Sequence, residues 1–172
     1  NAGVGLWLLP KSMQGDDLNA SELCAGIESL AEHCEDSGLI FALSAHLCAC
    51  IHPIRAFGSI EQKHQWLPKL SSEAWLGAHA ITEQQAGSDI YGMTTRADKY
   101  DHGFILTGNK HYITNAPFCD FIVVHVRTAD AGNYFDFSTF ILDRQTPCVS
   151  VTQTPHSKSG LRTTAMGDIT FS

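Results

Sequence analysis

The chain has 172 residues, of which 44% are hydrophobic and 17% are charged; this composition fits one larger or two small globular domains and excludes disordered and fibrous classes. A formal net charge of -7 and scattered Lys and Arg residues argue against nucleic acid as a partner. The longest apolar run, residues 39–51, falls short of the roughly 20 residues of a membrane span, so we expect no membrane insertion.

The six cysteines indicate a reducing compartment. Their spacings are too irregular for a disulfide framework, and several fall on apolar faces where a free thiol acts as a small hydrophobic group. No secretory or transit signal is visible, so we expect a cytoplasmic protein. The sequence begins at Asn1 without an initiator Met, which favours a start within a longer chain.

The chain opens with a predicted loop over residues 1–18, which contains Pro and Gly turn signals. Asn19 is a helix N-cap, and Glu22 stands at the third helical position, where it completes a capping box. Apolar residues then recur at helical spacing on one face. We expect Gly38 to end this helix.

Two further helices are predicted before residue 71. Residues 39–51 are apolar nearly all round, which predicts a buried helix that Pro53 kinks or ends. Ser59 and Gln62 form a second capping box, which begins a short helix through Trp66.

The pattern changes to strands and turns in the second part of the chain. The sequence therefore predicts an α+β fold: a piece of an N-terminal helical bundle over 1–73, followed by an antiparallel β-barrel or sandwich over 74–172. The expected strands are residues 75–81, 93–99, 104–114, 121–126, 137–142, 149–152 and 168–172. The second and third are predicted to form a hairpin through the turn at 101–103, and the apolar, β-branched strand 121–126 is expected to be buried.

The loop over residues 80–89 is the first candidate site. Thr82 follows a strand and offers a hydroxyl, and the small residues before and at Ser88 let backbone N–H groups approach an anion. A plain surface turn, with Asp89 as a cap, is the alternative. Glu83 and Asp89 are possible general bases, although a cap or a salt bridge is the favoured role for both, and Arg162 is a possible partner.

The second candidate is the end of a strand, where Tyr112 and Thr114 lie two residues apart and so on the same side. An ordinary strand with one buried Tyr is the alternative. Two hydroxyl-bearing edges that face each other would hold a planar, electron-rich ring and a phosphate, which points to a flavin. A metal site at Cys48, Cys50 and His52 and a hydrolytic serine lack the required motifs.

Four motifs together resemble the acyl-CoA dehydrogenase family, and the resemblance runs from Gly5 to the end of the chain. They are G-S-I-E-Q-K-H-Q-W-L-P-K-L at residues 58–70, T-E-Q-Q-A-G-S-D at 82–89, Y-I-T-N at 112–115 and L-R-T-T at 161–164.

The resemblance implies an N-terminal helical domain, a middle β-domain, a C-terminal four-helix domain and an FAD cofactor. It places Ile81 and Thr82 at the flavin pyrimidine edge, Tyr112 along the ring face and Thr114 as a donor toward N5. Ser88 would meet the FAD pyrophosphate and lie near the substrate thioester. The expected cofactor-binding residues are His79, Ile81, Thr82, Gly87, Ser88, Tyr112, Ile113 and Thr114, and no metal is expected.

Two positions depart from the family pattern: Gln84 stands where Pro is frequent, and Tyr112 where Trp or Phe is common. The family's catalytic Glu belongs to the C-terminal domain, which lies beyond this sequence. We therefore expect no catalytic residue within the chain, incomplete dehydrogenation by the chain alone, and weak FAD binding.

The implied function is FAD-dependent dehydrogenation of an acyl-CoA or acyl-carrier-protein thioester, in fatty acid or secondary metabolism. The helical segment and the 160–166 segment look most like biosynthetic, carrier-protein-linked members. An electron-transfer protein and a homo-oligomer, dimer or tetramer, are the expected partners. An acyl-CoA oxidase on the same fold and a non-catalytic interaction module are the alternatives.

Overall fold

The computed structural model describes residues 3–71, 75–132 and 134–172. The opening segment, predicted as a loop, contains two 3-10 turns, Val4–Leu6 and Lys11–Met13. Three helices follow in the described part of the first 71 residues: α1 over Ala20–His33, α2 over Ser37–Phe57 and α3 over Ile60–Ser71. The predicted boundary at residue 73 lies outside the described residues.

Both predicted capping boxes are confirmed. The Asn19 side chain accepts hydrogen bonds at the start of α1, and the Glu22 carboxylate accepts the Asn19 N–H at 2.8 Å. At the start of α3, Gln62 accepts the Ser59 N–H at 2.8 Å while the Ser59 hydroxyl accepts the Gln62 N–H at 3.2 Å. Each box satisfies helix N–H groups that have no partner within their own helix.

Pro53 does not end α2. The stretch Ala45–Ile51 has the wider π-helical turn, and the His52 N–H donates to the carbonyl of Leu47, five residues back. Because a proline ring crowds the preceding turn and lacks an N–H, the wider turn accommodates Pro53 without breaking the helix. By length and composition alone, the resulting 21-residue helix is apolar enough to cross a membrane, which is weak evidence because core helices pass the same test.

The expectation that Gly38 ends a helix is wrong. Gly38 lies in the first turn of α2, and a Cβ there would stand 2.1 Å from Thr163 Oγ1. Its carbonyl accepts a hydrogen bond from the Thr164 hydroxyl at 2.5 Å, and the Thr163 hydroxyl donates to the Asp36 carboxylate. Glycine is therefore required by the close approach of a distant loop.

The expectation that α2 is buried all round is also wrong. His46, Leu47, Cys50, Ile51 and Ile54 are buried, but Leu39 and Phe41 are 57% and 44% exposed. The buried residues form the face that packs on the sheet, and the first turns of the helix extend beyond that contact.

The strands of the β-domain are β1 Gly77–Ala80, β2 Arg96–Tyr100, β3 Gly103–Thr114, β4 Phe121–Arg127, β5 Phe137–Asp143, β6 Val149–Val151 and β7 Met166–Phe171. Within the described residues they form one curled sheet, with the order β1-β4-β2-β3-β7-β6 and with β5 paired to β4. The predicted hairpin is confirmed, since β2 and β3 pair antiparallel from Arg96 with Thr107 to Tyr100 with Gly103.

The sheet is mixed rather than wholly antiparallel, because β1 pairs with β4 in parallel, Gly77 beside Phe121. The α+β architecture is confirmed, but the expected antiparallel topology is not complete, since β2 also pairs with β4 in parallel, Arg96 beside Arg127. A parallel pair needs a crossover connection, and the polypeptide between β1 and β4 supplies the β2–β3 hairpin.

Strand β4 is buried on both faces over its first four residues, which explains why Phe121–Val124 are all apolar. Phe121 and Val123 pack into the core shared with the helices, whereas Ile122, Val124 and Val126 pack into the core of the β-domain. This strand therefore joins the two cores.

All six cysteines are free thiols. Cys50 lies in the core shared with the helices and Cys119 in the core of the β-domain. Burial raises the pKa of both thiols, that of Cys119 to about 11.

Candidate functional site

The two candidate segments meet in the fold. The His111 N–H donates to the Thr82 carbonyl at 2.8 Å, and Lys110 Nζ donates to the Ile81 carbonyl at 2.8 Å. The stretch after β1 therefore lies along the last residues of β3, although 27 residues separate Lys110 from Glu83 in sequence. The Thr82 segment and the strand that ends in Thr114 are therefore neighbours, as the predicted flavin site requires.

A buried ion pair lies beneath this junction. Lys110 Nζ is 2.9 Å from Glu83 Oε1, and the two side chains are 0% and 1% exposed. The Glu83 carboxylate also accepts the N–H groups of Thr94 and Thr95 at 2.8 and 2.9 Å, and Gln85 donates to it. Glu83 is therefore structural and pairs with Lys110, which settles the choice between base and salt bridge for this residue.

The charge on Glu83 is stabilised by these donors. Burial alone would raise the pKa of the carboxyl, but the hydrogen bonds from Thr95, Thr94 and Lys110 outweigh it and lower the pKa to about 2. Burial lowers the pKa of Lys110, and Glu83 opposes that shift. Glu83 therefore stays ionised at neutral pH, with its charge neutralised locally.

Tyr112 stands on a β-bulge. The pairing of β3 with β7 shifts between Lys110 and Ile113, and Tyr112 has a φ of 58°, a left-handed conformation that an aromatic residue rarely adopts. Such a conformation costs about 1–3 kcal/mol and persists only where the surroundings impose it. The Tyr112 N–H donates to the Asp168 carboxylate at 3.1 Å, and the residue is 60% exposed. The alternative of a buried Tyr is wrong.

The end of β3 is fixed by Asn115, which also has a positive φ, 68°. Its side-chain amide donates to the carbonyls of Ala42 in α2 and Gly77 in β1 at 3.0 and 3.2 Å. Thr114 beside it is half-buried. Ile113 is 2% exposed and packs in the β-domain core, so only its backbone is available to a ligand.

Gly87 and Ser88 lie at the surface of the loop, and a Cβ on Gly87 would contact nothing within 4 Å. The preceding turn is closed by reciprocal hydrogen bonds between Glu83 and Ala86, at 2.9 and 3.2 Å. Backbone groups and the Ser88 hydroxyl are accessible there, as an anion-binding loop requires.

His79 does not face the junction but lines a cavity with a volume of about 470 Å³. Its Nε2 lies 2.9 Å from His125 Nε2, and Thr139 bonds the other nitrogen of His125. Ile81 also lines this cavity, whereas Thr82, Tyr112 and Thr114 do not. The expected contact between His79 and the cofactor stays a prediction.

The Cys48–His52 segment is part of α2, and the nearby His46 has both ring nitrogens occupied. Nδ1 accepts the Gly77 N–H at 2.9 Å, and Nε2 lies 3.2 Å from the Leu70 carbonyl. Burial lowers the pKa of His46 and so favours the neutral ring that this pattern requires. Among the described residues, no three His, Cys, Asp or Glu side chains converge as a metal site needs.

Three residues that support the site were not expected: Lys110, Asn115 and Asp168. The sequence did contain a signal for Lys110. It is a charged residue at a position of its strand where the alternation of buried and exposed residues predicts a core side chain. Asn115 is also readable, because Asn tolerates positive φ. Asp168 offered no signal, because its partner is 56 residues away in sequence.

Family models match nearly the whole chain. The N-terminal domain of acyl-CoA dehydrogenase matches residues 1–74, and its middle domain matches residues 78–172. The chain belongs to the acyl-CoA dehydrogenase family. Its resemblance to that family, stated from four motifs, is thereby confirmed.

Similar proteins include carrier-protein enzymes. The L-prolyl-[peptidyl-carrier protein] dehydrogenase of Serratia sp. (strain ATCC 39006) is 39% identical over 137 residues, 80% of this chain and 36% of that protein. The crystal structure of the prolyl acyl carrier protein oxidase AnaB has a TM-score of 0.93 at 36% identity, over 99% of this chain and 45% of that one. The FAD complex of PigA has a TM-score of 0.94 at 35% identity, over 99% and 44%. The chain therefore spans less than half the length of these relatives.

Lys110→Met should lower the free energy of unfolding by about 3–5 kcal/mol, because it leaves the Glu83 carboxylate buried without its cation. Urea unfolding followed by circular dichroism measures this loss. Lys99→Met, at an exposed position of β2, is the matched control and should change the free energy little. Equal stability of the two variants would contradict the assigned role of the pair.

The His79–His125 pair should make the fold sensitive to mild acid. Burial, His79 and Lys110 lower the pKa of His125 from 6.5 to about 4. The unfolded chain therefore binds the proton first, so stability is complete above pH 6.5 and is lost as the pH falls toward 4.

The free energy of unfolding should fall less between pH 6.5 and 5 in His125→Leu than in the unmodified chain. His102→Leu, in the exposed hairpin turn, should keep the original slope. Denaturant titrations at several pH values check both variants, and parallel slopes for all three proteins would refute the prediction.

Proposed function

We propose that the protein containing this chain is an FAD-dependent dehydrogenase of acyl thioesters, as its family membership and the FAD complex of a similar structure indicate. The observation that carries the proposal is the junction of Thr82 with His111, which sets one hydroxyl-bearing edge beside the strand that ends in Thr114. The proposal covers the whole enzyme, of which this chain supplies two family domains.

The accessible groups along this junction suit FAD. The exposed ring of Tyr112 offers a flat apolar face, and the half-buried Thr82 and Thr114 offer hydroxyl donors. Gly87 and Ser88 provide accessible donors for a pyrophosphate. When bound, FAD supplies the two-electron acceptor. The chain would orient it and stabilise the negative charge that its reduction places near the hydroxyls.

Proton removal from the substrate requires a base, and Glu83 at the junction cannot fill that role. Glu83 is buried, and its carboxylate accepts hydrogen bonds from five donor groups, one of which is the Lys110 ammonium of the ion pair. It is therefore unavailable for proton transfer. We therefore assign the base to the C-terminal domain of the complete enzyme, as the family resemblance implies.

For the substrate, we propose a prolyl group held as a thioester on a peptidyl carrier protein. The support is the similarity to the L-prolyl-[peptidyl-carrier protein] dehydrogenase and to AnaB. An acyl-CoA is the second candidate, since the family is named after that substrate. A cytoplasmic location, a dimeric or tetrameric assembly and an electron-transfer protein as acceptor remain predictions.

Two other functions compete with this proposal. An oxidase would pass the electrons to O₂, and the similarity to the prolyl acyl carrier protein oxidase AnaB favours that alternative. A non-catalytic interaction module would keep the fold and lack turnover.

The proposal is tested with the full-length protein. We expect it to bind FAD and to lose the oxidised-flavin absorbance when mixed anaerobically with L-prolyl-carrier-protein thioester. Free L-proline and isovaleryl-CoA are the comparison substrates. Hydrogen peroxide formation in air would identify the oxidase, and flavin binding without reduction by any thioester would identify the non-catalytic module.

Thr114→Val should slow flavin reduction roughly 100-fold, because it removes a donor directed at charge that develops during the reaction. The Kd for FAD should change much less. Single-turnover reduction followed by stopped-flow absorbance measures the first quantity, and flavin fluorescence titration the second. Thr107→Val, on the exposed part of the same strand, is the control. An unchanged reduction rate would remove Thr114 from the proposed mechanism.

A further inference from the structure

The bulge in β3 places two residues opposite one. Lys110 pairs with Ile169 and Ile113 pairs with Gly167, so His111 and Tyr112 together oppose Asp168. A bulge of this kind frees a backbone N–H from the ladder and turns a side chain away from its regular direction. The freed N–H is that of Tyr112, and the Asp168 carboxylate accepts it at 3.1 Å.

The same carboxylate lies between two histidines. Its Oδ1 is 3.4 Å from His111 Nδ1, and its Oδ2 is 3.2 Å from His156 Nε2. His156 is tied to the neighbouring strand, since its N–H donates to the Met166 carbonyl at 2.7 Å. Asp168 is therefore held from both sides and does not depend on Tyr112 for its position.

His156 also bounds the Tyr112 ring. The two ring centroids are 5.7 Å apart and the planes meet at 83°, so the two rings are packed nearly perpendicular to each other. Tyr112 thus has its backbone fixed by Asp168 and one side of its ring fixed by His156, while most of the ring stays exposed.

We propose that Asp168 and His156 are positioning residues that fix the plane of Tyr112 for contact with the flavin ring. The inference rests on the proposed function, because it needs FAD at this surface. It explains why a left-handed conformation is maintained at an aromatic residue on the exposed side of the sheet: the bulge aims the ring, and the cluster holds it.

The test uses the full-length protein with FAD. Asp168→Ala should raise the Kd for FAD roughly two- to tenfold, the range expected when an aromatic contact loses its geometry, and should shift the flavin absorption bands. Asp168→Asn retains an oxygen that accepts the Tyr112 N–H, so it should restore most of the affinity and the original spectrum. His156→Ala should shift the bands in the same direction as Asp168→Ala.

Asp98→Asn, an exposed carboxylate on β2, controls for loss of charge and should have no effect. Tyr112→Ala supplies the reference change in spectrum and affinity. If Tyr112→Ala alters the flavin while Asp168→Ala and His156→Ala do not, the positioning role is overturned and the proposed function stands. If the unmodified protein binds no FAD, the proposed function and this inference both fail. Should Asp168→Ala not fold, His156→Ala and the Asn variant decide the matter.

Discussion

The ion pair between Glu83 and Lys110 is the interaction on which the site geometry depends. Taking two charges out of water costs several kcal/mol per ion, and an apolar pair of equal volume would often be as stable. Such a pair would leave the Ile81 carbonyl and the Thr94 and Thr95 N–H groups without their present partners. The charged pair fixes the position of the segment after β1 along β3. The Lys110 ammonium bonds both the Ile81 carbonyl and the Glu83 carboxylate, which anchors the following loop.

The same solution recurs where β3 ends. Asn115 connects three elements through one amide, and Thr163 and Thr164 fasten a late loop to the first turn of α2. In each case a short polar side chain bonds backbone or carboxylate groups far away in sequence. The helices and the sheet are thus locked together by directional contacts at their edges, while β4 supplies the apolar contact between the cores. Rigid edges of this kind suit a surface that must hold a flat ligand without rearranging.

Local signals predicted the elements well. The boxes at Asn19 and Ser59, the β2–β3 hairpin and the apolar run of β4 each follow from a few neighbouring residues. The prediction for Gly38 was wrong because glycine is needed there for the close approach of Thr163, 125 positions later (163 minus 38). The residues around Gly38 in sequence give no indication of that contact. The prediction that Pro53 kinks or ends the helix was wrong in part. A π-helical turn just before it relieves the clash that would otherwise end the helix.

The candidate site divides in the same way. Thr82, Tyr112 and Thr114 were identified from residue types, and the fold brings their segments together. The bulge at Tyr112 and its acceptor Asp168 were not identified, because a register shift depends on two strands and appears in neither sequence alone. His79 was selected for its place before the loop, yet strand alternation turns it into the cavity shared with His125.

The two buried thiols have a practical consequence. Cys50 and Cys119 belong to different cores, and each is protected from modifying reagents by the packing around it. A thiol reagent reaches either one only when its own core opens. The ratio of their labelling rates therefore reports whether the helical layer detaches from the sheet before the core of the β-domain opens, with no engineered probe and no mutation.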